Sequence, residues 1–228
     1  MSRFYAFGTL KPGYPEGLNN MKIRFVALFF FVFLPAALFA GTAEEYGNRG
    51  AAYAQEGNYE LALSDLTEAI RLNPDFAEAY YNRGIVYDIQ EKYLLAISDY
   101  SRAIGFKPKD AEIYNNRGIA YINQGDYELG ISDFSKAIEL DPRYVQAYNN
   151  RGLVYFGQKK NSYAISDYSR AIEINPKFAE AYYNRGVAYY ADKEYAQAWV
   201  DLNEAKSLGV EVDPEVIKII DKALGRSK

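Results

Sequence analysis

The stretch "AEAYYNRGIVY", residues 77–87, decides the fold. Its centre, Asn82-Arg83-Gly84, returns as Asn48-Arg49-Gly50, Asn116-Arg117-Gly118, Asn150-Arg151-Gly152 and Asn184-Arg185-Gly186. Glycine weakens a helix interior by about 1 kcal/mol against alanine, and asparagine is a middling helix former. A chain that accepts that cost five times must recover it in packing.

Aligned on the triplet, residues 43–212 divide into blocks 43–76, 77–110, 111–144, 145–178 and 179–212, with no insertion or deletion between them. A fixed period of this size is the signature of a solenoid. Each block reads as two helices. The first runs about fourteen residues from Ala43, Ala77, Ala111, Val145 or Ala179. The second follows a polar turn such as Glu56-Gly57-Asn58 and stops at Pro74, Pro108, Pro142 or Pro176, which cannot continue a helix.

The spacing of large and small residues inside the blocks resembles the tetratricopeptide repeat. Its first-helix aromatic is matched by Tyr46, Tyr80, Tyr114, Tyr148 and Tyr182, and its small residue by the five glycines, each followed by Tyr53, Tyr87, Tyr121, Tyr155 or Tyr189. In the second helix the small positions are Ala62, Ala96, Gly130, Ala164 and Ala198, then Ala69, Ala103, Ala137, Ala171 and Ala205. Leu66, Tyr100, Phe134, Tyr168 and Leu202 lie between them. Asn161 departs from the tyrosine of Tyr59, Tyr93, Tyr127 and Tyr195, and Val210 stands where a fifth proline would be. The resemblance, to an exported bacterial type with Asn-Arg-Gly repeats, implies an all-α, right-handed superhelical solenoid of five hairpins.

Beyond it, Asp213-Pro214-Glu215 is a helix start. Val216, Ile217, Ile219, Ile220 and Leu224 then form an apolar face, so residues 213–225 read as a capping helix over the open end of the array.

The glycines have a physical reading of their own. A residue without a side chain lets the facing helix come near, so Gly84 is expected to face Ala96 and Ala103 between Tyr80 and Tyr87. Arg49, Arg83, Arg117, Arg151 and Arg185 stand where the family usually has leucine. A desolvated guanidinium needs a partner, and Asp65, Asp99, Asp133, Asp167 and Asp201 supply one carboxylate per block.

Composition narrows the chemistry. The formal charge of −4 divides into +3 over residues 1–40 and −7 over the rest, an acidic body that makes nucleic acid an unsuited partner. With neither cysteine nor histidine, thiolate zinc sites, disulfides and Ser-His-Asp triads are excluded. No metal site or cofactor is expected. Acidic residues recur with the repeat, whereas catalysis needs one singular constellation. The expected function is therefore a non-catalytic scaffold for an extended or helical segment of another protein, with a membrane-tethered assembly factor as the alternative if the Phe25–Ala40 segment is retained and a carboxylate-based enzyme as the lesser reading.

Met21-Lys22-Ile23-Arg24 precedes sixteen uncharged residues, Phe25 to Ala40, and then small residues. These are the parts of a secretory signal peptide, and sixteen is short for a bilayer span of about 20. Residues 21–43 are read as a signal, with an uncleaved anchor as the alternative, and residues 1–20 as a disordered extension or an upstream mis-start. The expected location is periplasmic or secreted, or, with an anchor, the inner membrane with the repeats outside the cytoplasm.

At about 100° per residue, Asn82 lies opposite the face formed by Tyr80, Arg83, Gly84 and Tyr87. The resemblance implies that this side lines a concave groove, with Asn48, Asn82, Asn116, Asn150 and Asn184 in a row along it. A carboxamide donates and accepts, so such a row suits the backbone of an extended peptide; the repeats of protein O-glycosyltransferases, which look similar here, use one in this way. Ala51, Ile85, Ile119, Leu153 and Val187 run beside it, flanked by Tyr81, Asn115, Asn149 and Tyr183. The alternative is that duplication copied the asparagines and that the aliphatic stripe packs against the neighbouring first helix. On the peptide reading, replacing Asn82, Asn116 and Asn150 together by alanine should leave stability near normal. Chaperone-binding relatives clamp acidic C-terminal tails with lysines; Glu44, Glu78, Glu112, Gln146 and Glu180 occupy those positions and would repel such a tail.

Overall fold

The computed structural model of the chain describes residues 41–226. The extension at 1–20 and the signal or anchor at 21–43, apart from its last three residues, lie outside them. The described chain is eleven helices in order: α1 Ala43–Gln55, α2 Tyr59–Leu72, α3 Ala77–Ile89, α4 Tyr93–Phe106, α5 Ala111–Gln124, α6 Tyr127–Leu140, α7 Val145–Gly157, α8 Asn161–Ile174, α9 Ala179–Ala191, α10 Tyr195–Ser207 and α11 Pro214–Ala223. Consecutive helices pair into five hairpins, and each hairpin packs on the next.

The turns explain the boundaries. Within each hairpin the first helix closes by a backbone bond from the residue opening the second: Asn58 N–H to Tyr53 at 2.8 Å, Lys92 to Tyr87 at 2.8 Å, Asp126 to Tyr121 at 2.8 Å, and likewise at Lys160 and Glu194. This closure needs a left-handed residue just before it. Gly57 and Gly125 supply one without strain, whereas Glu91, Lys159 and Lys193 adopt φ of 59°, 60° and 62°. Between hairpins, Asn73, Asp141 and Asn175 accept from the backbone N–H two residues on, at 3.2, 2.9 and 3.1 Å. Where the fifth proline is missing, Gly209 at φ 99° ends α10 in its place, with Val210 N–H bonded to Ala205.

The core is built from the small positions. Ala62, Ala69, Ala96, Ala103, Ala137, Ala164, Ala171, Ala198 and Ala205 are fully buried, as are Leu66, Tyr100, Phe134, Tyr168 and Leu202 between them. The expected partner of Gly84 is corrected here. A Cβ added at Gly84 would sit 2.8 Å from the Tyr100 ring, so an aromatic of the second helix, not Ala96 or Ala103, fills the notch. At Gly118 the Phe134 ring stands at 2.8 Å and the Gly130 carbonyl at 3.2 Å, so there the backbones also meet.

All five Arg-Asp pairs form, each with two bonds in the fork geometry that suits a carboxylate. Arg117 Nε donates to Asp133 Oδ2 at 2.7 Å and Nη2 to Oδ1 at 2.8 Å, and Arg83, Arg151 and Arg185 hold Asp99, Asp167 and Asp201 within 0.1 Å of this. The guanidinium lies between tyrosine rings: Arg83 Cζ is 5.7 Å from the Tyr80 centroid and 5.9 Å from Tyr87. Sequence reasoning missed its third arm. Nη1 reaches back to the preceding hairpin, from Arg83 to Thr67 at 3.1 Å, Arg117 to Ser101 at 3.0 Å, Arg151 to Ser135 at 2.9 Å and Arg185 to Ser169 at 2.9 Å. A hydroxyl recurring just after the large core residue, Leu66, Tyr100, Phe134 or Tyr168, in four blocks was the available signal. Arg83, Arg117, Arg151 and Arg185 thus each tie a hairpin to itself and to its predecessor, whereas Arg49 of the first hairpin ties only its own, and Ser135→Ala is expected to cost about 1 kcal/mol in denaturant melts.

The cap is present. Asp213 accepts from Glu215 N–H at 2.9 Å with Pro214 as the first helical residue, and Ile220 is fully buried against Ala198, Leu202 and Val212. Ile219 is 50% exposed, however, and is corrected out of the apolar face. It is turned well away from the Val216, Ile217, Ile220 and Leu224 stripe, since each residue advances the helix by about 100°.

Candidate functional site

The first helices α1, α3, α5, α7 and α9 stand side by side, and a groove of 1620 Å³ crosses them. Of the expected row, Asn82, Asn116 and Asn150 line it, together with Tyr81, Asn115, Asn149, Ile85 and Ile119. Asn48, Asn184, Tyr183 and Leu153 are outside its lining.

The row is not five open amides. Asn115, Asn116 and Asn149 are 4%, 8% and 8% exposed, and Ile119 is buried against Phe134 of its own hairpin and Val154 of the next. The donors are spent on a cross-link: Asn116 Nδ2 to Tyr81 Oη at 2.8 Å, Asn150 Nδ2 to Asn115 Oδ1 at 3.0 Å, and Asn184 Nδ2 to Asn149 Oδ1 at 2.9 Å. Each reaches back thirty-five residues, to the position just before the preceding block's own asparagine. Asn115 also donates to Asn116 at 3.3 Å, and the Tyr81 hydroxyl to Glu112 at 2.8 Å. Asn150, Asn115, Asn116, Tyr81 and Glu112 therefore form one polar chain. Burial, with the Glu112 carboxylate beside it, pushes the Tyr81 phenol above its ordinary range.

Among the three that line the groove Asn82 is the exception, for a reason written in the sequence. Its reach-back position is Gly47, which has no side chain, and Asn82 makes no side-chain hydrogen bond among the described residues. Gly47 is itself required, since a Cβ there would stand 2.6 Å from a Phe76 ring carbon. The expectation of near-normal stability for the triple alanine variant is revised accordingly. Truncating Asn116 and Asn150 removes cross-links worth about 1 kcal/mol each, whereas Asn82→Ala alone removes none.

Seven residues further along, the same thirty-five-residue register brings Asn123 to Asp88. In the other hairpin pairs these positions hold Ala54 with Ile89, Ile122 with Gly157 and Phe156 with Ala191, so this polar rung is singular. Asp88 Oδ1 is sealed without a partner. Burial raises its carboxyl to about 6, with the Asn123 side chain opposing the shift by hydrogen bonding. Because the folded pKa lies above the ordinary 3.8, the folded chain holds this proton longer than the unfolded one. Stability therefore falls as pH rises between those values. Asp88→Asn removes the penalty. Discounted for the carboxyl edge that meets the groove, the variant is expected to exceed the parent by about 2 kcal/mol at pH 7 and to match it near pH 3, in melts across that range.

At the rim, Lys107 Nζ stands 2.6 Å from Glu78, whose carboxyl it holds below the usual range. The acidic lining residues Asp88, Glu91, Asp110, Glu112, Asp141 and Glu180 outnumber Lys107 and Lys109. Among the described residues no three His, Cys, Asp or Glu groups gather in a way that could hold a metal, and no helix is long and apolar enough to cross a membrane.

The family model described as TPR repeat matches residues 50–88, 89–125 and 155–193, and the one described as tetratricopeptide repeat matches 111–144. The chain is a tetratricopeptide repeat protein. Such repeats are interaction modules, generally without catalysis, that bind protein or peptide partners.

Among solved structures, the array is similar to Pseudomonas aeruginosa pilF at 22% identity over 81% of this chain and 85% of that one, with a TM-score of 0.72. It is also similar to PilW, a type IV pilus biogenesis factor, at 21% identity over 81% and 87%, TM-score 0.69. A third is YrrB, described as a TPR protein with an unusual peptide-binding site, at 23% identity over 79% and 92%, TM-score 0.64. At these identities the likeness concerns the fold. No curated protein matches the array in sequence.

Proposed function

We propose that this tetratricopeptide array is a non-catalytic adaptor that holds an extended segment of another protein in its concave groove. The observation that carries the reading is the groove itself. It is lined by Asn82 with an unused carboxamide, by the part-buried Asn150 and Ile85, and by the aromatic flank of Tyr81. A guest backbone finds there a free donor and acceptor beside apolar surface, the mixture that suits a peptide ligand. In this reading the remaining amides serve twice: one N–H of each is spent on the cross-link, and carbonyl oxygens such as that of Asn150 face the guest. The recurrent acidic groups supply no acid-base pair, which supports binding over hydrolysis.

We also place the array outside the cytoplasm, on the strength of the Phe25–Ala40 segment. Fractionation of the native host and the mass of the mature chain test this, and a full-length cytosolic product would overturn it.

The groove reading is tested by selecting a random dodecapeptide display library on the array. Enriched peptides should lose at least tenfold in affinity on Asn82→Ala/Ile85→Ala and none on Leu95→Ala, which alters a side chain 48% exposed on a second helix. Binding indifferent to the first variant would sink the proposal.

A further inference from the structure

We infer that the guest segment is anchored by one basic side chain, lysine or arginine, at the rung formed by Asp88 and Asn123 between the second and third hairpins. The inference rests on the groove reading and specifies its chemistry.

Asp88 lines the groove, yet one of its oxygens has no hydrogen-bond partner at all. A carboxylate taken out of water is costly unless a charge or several donors face it. Nothing in the array meets that need fully. Among the described residues Asn123 contributes the only side-chain hydrogen bond. Lys107, on the same groove wall, is engaged by Glu78. The deficit is therefore one positive charge; Oδ1 itself is sealed, and a visitor would meet the carboxylate from the side on which the half-buried residue lines the groove.

The surroundings fit the rest of such a side chain. Tyr81, two turns earlier on the same side of α3 and half-buried in the groove lining, offers an aromatic face to a methylene stem or a guanidinium plane. The excess of carboxylates in the lining favours a cationic guest over an anionic one at long range as well. Register adds the last element. The rung occurs once in the array, so it would set where along the groove the guest sits, which repeated contacts cannot do. Asn82, six residues earlier on α3, then takes a backbone amide of the same guest.

The test uses peptides from the library selection on the intact array. Wild type should return a consensus with one fixed lysine or arginine, and selection on Asp88→Asn should lose that position while keeping the others. For one selected peptide, changing the basic residue to norleucine should weaken binding to wild type at least tenfold and binding to Asp88→Asn less than twofold. Circular dichroism melts confirm that the variant is folded. A groove-dependent consensus without a basic residue, or one that Asp88→Asn leaves intact, overturns the anchor and spares the groove. Peptides indifferent to Asn82→Ala/Ile85→Ala overturn both.

Discussion

Asp133→Ala is expected to destabilise the array by about 4 kcal/mol. The substitution removes both acceptors of the Arg117 fork, whose two side chains are only 17% and 8% exposed. It leaves a guanidinium in the middle of the array with Ser101 and two tyrosine faces for company. Breaking a buried pair from one side costs roughly 3–5 kcal/mol, because the remaining charge stays desolvated. Arg117 also bonds the preceding hairpin, so the loss is felt at an interface as well as within one repeat. Arg117→Met/Asp133→Leu provides the contrast. With both charges gone the penalty for an orphan disappears, and chemical denaturation should show the double variant to be at least about 2 kcal/mol more stable than Asp133→Ala. Equal stability of the two would mean that solvent, not Asp133, satisfies Arg117.

Gly118→Val is the second large effect, expected at about 3 kcal/mol. Its first added carbon would stand 2.8 Å from the Phe134 ring and 3.2 Å from the Gly130 carbonyl. The ring can tilt; the carbonyl belongs to a helix and cannot move without separating α5 from α6. Overpacking of this kind costs about 1–3 kcal/mol, and valine adds two methyl groups to the clash. The comparison that isolates the cause is Gly105→Ala. Gly105 lies in α4 and a Cβ there meets nothing within 4 Å, so only helix propensity acts. That variant should be stabilised by about 0.5–1 kcal/mol. Opposite signs for the two glycines would show that close approach, and not the backbone freedom of glycine, accounts for the repeated Asn-Arg-Gly.

Much of this was legible before any coordinates. The prolines and polar turns set helix ends to within a residue or two, and the bond between arginine and aspartate lies inside one hairpin, at a separation of sixteen residues that recurs in all five copies. Contacts of that kind depend on local geometry alone. Gly84 shows where the reading ran short: that a helix approaches could be foreseen, but whether Ala96 or the Tyr100 ring enters the notch depends on the rotation of α4 about its own axis.

The face that carries the groove was legible in outline, and the bonding of its amides was not. Which face of the first helix carries Asn82 follows from helical periodicity, and the groove lies on that face. That Asn116 would turn its amide to Tyr81, and that Ile119 would be covered by Val154, depends on how far each hairpin is rotated and shifted against the next. A repeat period leaves that rotation undetermined, because the same hairpin can stack at several angles. The sequence by itself determined the hairpins, their number and the pairing inside them, since these arise from contacts a few turns apart along the chain. Only the tertiary structure decided which amides are spent between repeats and which carboxylate is left in want of a partner. Those depend on groups thirty-five residues apart meeting across a seam whose angle is set by the packing of whole hairpins.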